Sequence, residues 1–351
     1  MKTLSIIICT FLISYPLSAQ YLLENDYIEL HSQSNSIKGI EYNNLKIYPL
    51  IAGEQFLKSH ASLGSYTSLE EALQNKKVEI IETGNVQNDS TSSDASNVVQ
   101  TNTNDLQNIE QQNIQQVGAF SNDQVNKLFI KNLSSDTIFL MAGEVVHGGK
   151  QDRVLSQDLI LPPTAALVDL TVFCVEQNRW SYSDANKSFT GYAMMSSQSL
   201  RHTITKNNTQ TGVWDKVEEI SSQLEVSSPT NSLTATTEST KNKEIQQYIS
   251  FFDSTLTLIP NCIGFVALSG DKILGCDIFA TNDLFVRRQK NLLNSYVTEA
   301  VINGSPIKMK DEQVIEYLNK FLLNEPEQDD AINEMGNQYK YLNKKLHIST
   351  Y

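Results

Sequence analysis

The sequence predicts an α+β domain built on a mainly antiparallel sheet with amphipathic helices. Three observations predict it. Strand-like alternation fills the N-terminal half, apolar residues at three- and four-residue spacing fill the C-terminal half, and a single hairpin returns to strand late in the chain. No internal repeat is visible.

The chain opens with MKTLSIIICTFLISYPLSAQ. Lys2, an apolar segment from Leu4 to Leu17, and Ser18-Ala19 read as a secretory signal peptide over residues 1–19, cleaved after Ala19. The apolar core is too short for a membrane span. Cys9 lies inside that core, which does not suit lipoprotein cleavage. The mature chain is therefore expected to be soluble and exported, periplasmic or extracellular, with no membrane insertion.

Strands follow in DYIELH, IKGIEYNNLKIYPLIA and, after the short helical signal SLEEALQNK, in VEIIE. Asn85 to Gln116 has no Lys, Arg, Gly, Pro or aromatic residue, so it lacks the apolar surface to offset its ordering entropy. It reads as a low-complexity disordered insertion, residues 85–116. VNKLFIKN and TIFLMAGEVV resume as strands, and LVDLTVFCVE reads as a central strand covered on both faces.

LRHTIT, GVWDKVEEISSQLEV and KNKEIQQYISFFDSTLTLI have helical spacing. CIGFVALSGDKILGCDIF is a hairpin turning at Ser269-Gly270-Asp271. A helix then places Phe285, Gln289, Leu292, Leu293, Tyr296, Val297 and Ala300 on one stripe, with Thr281 or Asn282 as cap. Asp311 to Leu323 is another amphipathic helix, and EPEQDD leads into a weaker one. These elements make one domain over 20–304 and a helical C-terminal extension over 305–351.

Removing the leader leaves 26 basic against 40 acidic residues, a net charge of −14. With no Lys/Arg run, that balance argues against nucleic acid and anionic lipid as partners. Cys174, Cys262 and Cys276 remain, an odd count that leaves at least one free thiol or an intermolecular bond. Cys262 and Cys276 flank the hairpin and could approach across it, in imperfect register. No CxxC spacing is present, and Glu144-x-x-His147 points its ligands to opposite faces of a strand, so no metal site is expected.

The chemistry concentrates in GEVVHGGKQDRVL and VFCVEQNRW. Alternation places Ile138, Leu140, Ala142 and Glu144 on one strand face, and Val172, Cys174 and Glu176 on another. Each strand ends in a carboxylate with an arginine shortly after. Should the strands lie together, Glu144, Gln151, Arg153, Glu176, Arg179 and Trp180 line one cleft. The same residues also suit a purely structural role, with Glu144–Arg153 and Glu176–Arg179 as internal salt bridges and Trp180 as a core plug. Gly148-Gly149 suits a turn, or an anion cradle. Cys174 sits in an apolar strand with no adjacent base, as packing cysteines do.

The blocks AGEVVHGGKQDRVL, VFCVEQNRW and GFVALSGDKILGCDIF resemble the uncharacterised bacterial family named for its association with ADP-ribosylglycohydrolases and rhodanese-phosphatases. The resemblance runs from near the start of the mature chain to Asn303. It implies a domain that acts on or senses ADP-ribose or related NAD-derived molecules. Glu144, Gln151, Arg153, Cys174, Glu176, Arg179, Trp180 and Asp277 are the matching positions.

Such a ligand fits the residue types present. Arg153, Arg179 and the Gly148-Gly149 turn suit a diphosphate. Glu144, Glu176 or Asp277 suit ribose hydroxyls, and Trp180 or Tyr182 an adenine. The sequence thus predicts an exported domain that binds a small ribosylated or phosphorylated ligand with no cofactor of its own. Glu144 and Glu176 are the candidate acid and base if it also processes that ligand. The alternative is a non-catalytic envelope or secreted interaction module.

Overall fold

Two mainly antiparallel sheets organise the molecule. The computed structural model describes residues 21–24, 26–34, 36–82, 98–99, 126–163, 166–179, 188–207, 209–324 and 327–351. The leader, Trp180 and Tyr182 lie outside the described residues, as does the 85–116 insertion apart from Val98–Val99, which pairs in parallel with Leu167–Val168. Among the described residues no helix is long and apolar enough to cross a membrane.

The late hairpin, Cys262–Ser269 and Lys272–Phe279, forms the centre of the first sheet. Its order is Ile28–Leu30, Leu45–Ala52, Cys262–Ser269, Lys272–Phe279, Lys344–Thr350, Gly336–Tyr341, with Ile40–Tyr42 folded back on Leu45–Ala52. Strand alternation sends Phe265, Ala267 and Phe279 into the largest core, and Val266, Leu268 and Ile278 into a second core on the other face.

Helical periodicity alone predicts helices past residue 305. Asp311–Leu318 and Glu327–Met335 are helical, but Gly336–Tyr341 and Lys344–Thr350 are strands. The second of these covers what would be the free edge of Lys272–Phe279, whose unpaired backbone groups favour pairing over exposure. The three cysteines are free and buried. Cys276 stands opposite Val266, four residues and roughly 13 Å of strand from Cys262, too far for a disulfide.

The stripe helix divides into Asn282–Val286 and Gln289–Asn303. The Thr281 hydroxyl caps the first by accepting from the Leu284 N–H at 3.2 Å. All seven stripe residues are buried against the core shared with the helices Gln210–Gln223 and Asn242–Leu256.

The second sheet runs Phe189–Met195, Glu144–Gly148, Arg153–Leu155, Leu167–Cys174, Lys127–Asn132, Val78–Glu82. A bridge between Ile81 and Ser188 joins its two outer strands, so the sheet rolls into a six-stranded barrel. Ile80, Leu128, Ile130, Val146, Leu155, Leu170, Val172 and Phe189 fill the interior. Val145, Val154 and Phe173, at alternate positions, pack outward against the helices. Leu167–Cys174 is central, yet its first half alternates buried with half-exposed residues, so only the end near Cys174 is covered on both faces.

The run TIFLMAGEVV is two strands rather than one. Ile138–Leu140 joins a small sheet with Leu159–Leu161 and Thr67–Ser68, and the barrel strand starts at Glu144. Gly143 makes the corner at φ 92°, where a Cβ would fall 2.6 Å from Arg201 Cγ. Ile138, Leu140, Ala142 and Glu144 therefore do not share one strand face.

Candidate functional site

Barrel register gathers polar groups at one mouth. Arg153 stands opposite Cys174, and both lie two residues beyond interior side chains, Leu155 and Val172. Glu82 holds the same relation to Ile80. Arg153 is fully buried, with Nη1 donating to Gln151 Oε1 at 3.3 Å and lying 3.2 Å from Cys174 Sγ. Its Nη2 is 3.8 Å from the Glu82 carboxylate, and neither Nη2 nor Nε has a hydrogen-bond acceptor among the described residues. Burial pushes the Cys174 thiol up to about 11 against the pull of Arg153, so it stays protonated and donates to Gln151 Oε1. It is a poor nucleophile.

The rim is tightly bonded. Arg179 donates to Glu176 Oε2 at 2.6 Å, Asp152 Oδ1 at 3.0 Å and the Gly149 carbonyl at 3.2 Å. Glu176 Oε1 accepts from Thr230 at 2.8 Å, and Asp152 Oδ2 accepts from Thr234 at 2.9 Å. His147 Nδ1 lies 2.9 Å from Asp152 Oδ1. Gln151 Nε2 donates to the Glu176 carbonyl at 2.9 Å.

Gly148 and Gly149 have φ values of 121° and 58°, which favour glycine. Their N–H groups do not form an open anion cradle. Gly148 donates to Asp152 Oδ1 at 3.1 Å, Gly149 to the Ser188 carbonyl at 3.1 Å, and Lys150 to Glu82 Oε1 at 2.9 Å.

Arg179 therefore braces two acids. Arg179→Ala should cost about 2 kcal/mol in urea unfolding without ligand, less than a wholly buried pair because a quarter of its side chain is exposed. Adding Glu176→Gln should recover part of that loss by neutralising one stranded acid. A wild-type midpoint for Arg179→Ala would reject the brace.

A second network lies deeper and ties the first sheet to the helices Gln198–Lys206 and Gln289–Asn303 and to the loop carrying Asp158. Asp277, fully buried, accepts from Arg201 Nη1 at 3.0 Å and Nη2 at 2.6 Å, and from the Tyr296 hydroxyl at 2.6 Å. His347 Nε2 lies 2.9 Å from Asp277 Oδ1, and its Nδ1 lies 2.5 Å from Asp158 Oδ2. Despite burial, these two carboxylates hold the imidazole up at about 9, so it is an imidazolium donating to both. The bonded cations hold Asp277 well below the usual carboxylate range in spite of its own burial. Phe279 stacks on the imidazole at 4.5 Å.

Glu144 belongs with this deeper set. Its Oε2 accepts the Met141 N–H at 2.8 Å, while Oε1 has no partner among the described residues. Burial pushes its carboxyl up to about 7 although Arg288 is near. Arg288, lowered to about 10 by burial, spends Nη1 and Nη2 on the Leu284 and Phe139 carbonyls.

Of the residues the sequence nominates, Gly148, Gly149, Gln151, Arg153, Glu176 and Arg179 meet at the barrel mouth, while Glu144 and Asp277 do not join them. Trp180 follows Arg179 directly but lies outside the described residues. The Glu176–Arg179 bridge forms. Glu144–Arg153 does not, because Arg153 is in register with Val146 and turns into the barrel toward Glu82. Glu144 and Glu176 share no hydrogen-bond partner among the described residues, which separates the candidate acid from the candidate base.

Sequence reasoning misses Glu82, Asp152, Asp158, Arg201, Arg288 and His347. Glu82 carries a signal, since it shares parity in VEIIE with the buried Val78 and Ile80. Arg201 lies three residues before Ile204, on the buried side of its helix. Asp158 and His347 give no local signal. A family model described as the ARG and Rhodanese-Phosphatase-superfamily-associated Protein domain matches residues 34–350. No curated protein and no solved structure matches the chain.

Proposed function

The chain belongs to the ARG and Rhodanese-Phosphatase-superfamily-associated Protein domain family, and on that premise we propose that it is an exported binder of a small ribosylated or phosphorylated ligand. The ADP-ribose class is the first to test, and the proposed site is the mouth of the six-stranded barrel. One observation carries this reading. Arg153 is a wholly buried cation with two guanidinium nitrogens lacking acceptors among the described residues. Burying a charge so incompletely paired costs several kcal/mol, which a purely structural site has no reason to retain. Barrel mouths are also common ligand sites.

In this reading Arg153 takes an anionic phosphate of the ligand, and Gln151 holds the guanidinium in place. Glu176 and Arg179 shape the rim, with Trp180 or Tyr182 as the flat surface for a base. The Gly148-Gly149 turn shapes the mouth through its backbone. Hydrolysis is not part of the proposal, since the two candidate carboxylates stand in separate networks.

Wild-type protein with ADP-ribose at about 100 times Kd should melt roughly 4 °C higher, and Arg153→Met should lose the shift. The bonded rim favours a second reading, a non-catalytic envelope or secreted interaction module, because Arg179 has three acceptors within its own chain. Absence of any shift or binding heat with ADP-ribose, AMP and ribose 5-phosphate would leave that second reading standing.

A further inference from the structure

Glu82 is the unusual member of the mouth. It is a buried carboxylate at the end of the Val78–Glu82 strand, 3 % exposed, and Oε1 accepts the Lys150 N–H at 2.9 Å. The same oxygen is 3.8 Å from Arg153 Nη2, too long for a hydrogen bond. A Cβ on Gly149 would lie 2.8 Å from it and 2.6 Å from Phe189 Cζ, so glycine there keeps space for a carboxylate. A backbone N–H beyond a left-handed glycine and a buried guanidinium are the donors that recognise carboxylate and phosphate oxygens.

We propose that Glu82 is a built-in anion held in an anion subsite formed by Arg153 and the Gly149–Lys150 backbone, and that a free carboxylate or phosphate group competes for that place. The proposal rests on reading the barrel mouth as a binding site and assigns the subsite within it. The resident carboxylate neutralises Arg153 imperfectly, with Nη2 and Nε left without acceptors among the described residues. An external phosphate, with three oxygens and more charge, can reach donors that one tethered carboxylate leaves unused. Its entry requires the Glu82 side chain to rotate away, so Glu82 lowers apparent affinity by the fraction of molecules in which it occupies the subsite.

Chemical rescue tests this. Glu82→Ala removes the resident anion and should gain a saturable thermal shift of roughly 4 °C with acetate, inorganic phosphate or pyrophosphate, at about 100 times the Kd of each. Wild type under the same anions sets the baseline for nonspecific salt effects. Glu82→Ala with Arg153→Met should return to that baseline. The three anions separate a carboxylate site from a phosphate or diphosphate site.

Should Glu82→Ala not fold, Glu82→Gln keeps the acceptor for Lys150 N–H and should bind pyrophosphate at least about tenfold more tightly than wild type by calorimetry, a gain of 1.4 kcal/mol. Equal anion responses in Glu82→Ala and the double variant, or equal pyrophosphate affinity in Glu82→Gln and wild type, would overturn the proposal. Rescue by simple anions without wild-type binding of ADP-ribose would retain the subsite and reject only the ligand class.

Discussion

Asp277→Ala should lower the free energy of unfolding by about 3 to 5 kcal/mol, because it strands a buried arginine and an imidazolium together. Arg201 is 1 % exposed and its bidentate partner is wholly buried, so water cannot replace the lost carboxylate without opening the core. The Tyr296 hydroxyl loses its acceptor as well. Urea unfolding at neutral pH measures the loss. Asp277→Asn should cost less, since it keeps an acceptor of the same shape, and Asp277→Ala with Arg201→Met should recover much of the penalty by removing the stranded cation. A loss under about 1 kcal/mol for Asp277→Ala would show that this network does not hold the first sheet to its helices.

Stability should fall as pH rises from about 6.5 to about 9, whereas between about 4 and 7 two buried groups oppose each other. Burial lowers the His60 imidazole from 6.5 to about 4, so its neutral ring contributes stability that is present above 6.5 and lost as pH falls to about 4. Glu144 is pushed from its ordinary 4.5 up to about 7. The folded state then keeps a proton that the unfolded chain has released, so this contribution is full below 4.5 and gone above about 7. His347 is raised from 6.5 to about 9, so its imidazolium contributes fully below 6.5 and is lost as pH climbs to about 9. Each shift corresponds to at most about 3.4 kcal/mol. Asp277 acts in the opposite sense, because its depressed pKa gives stability that is present above its ordinary 3.8 and disappears in acid.

The stability maximum is therefore expected near pH 6 to 7, above the acid limb and below the His347 stage. Urea midpoints taken from pH 3.5 to 9.5 check the profile. Glu144→Gln should leave His60 unopposed, so that stability rises with pH between about 4 and 6.5, and His347→Gln should flatten the stage between 6.5 and about 9. A wild-type profile that is level from 6.5 to about 9 would reject the His347 assignment, and a Glu144→Gln profile identical to wild type below about 7 would reject the Glu144 assignment.

Alternation and helical spacing were enough to identify the class of fold, since those periods are set by backbone geometry within a few residues. Val78–Glu82, Lys127–Asn132 and Cys262–Phe279 are strands where the pattern says so, and the stripe from Phe285 to Ala300 is buried throughout. The family blocks were legible for the same reason, being short contiguous strings. Glu176–Arg179 was readable because three residues of turn bring the pair together.

What the sequence could not decide was register and closure. Whether Arg153 faces Glu144 or Glu82 depends on which residue of Glu144–Gly148 stands opposite it, and the choice of Val146 sends its side chain into the barrel. The corner at Gly143 moves Glu144 out of the preceding strand, a change that alternation along a continuous run hides. His347 meets Asp277 only because the last strand pairs beside Lys272–Phe279, and Asp158 meets His347 across a gap of 189 residues. Contacts over such separations depend on how whole sheets pair and pack. That is a cooperative free-energy minimum of the entire chain, and no local period encodes it.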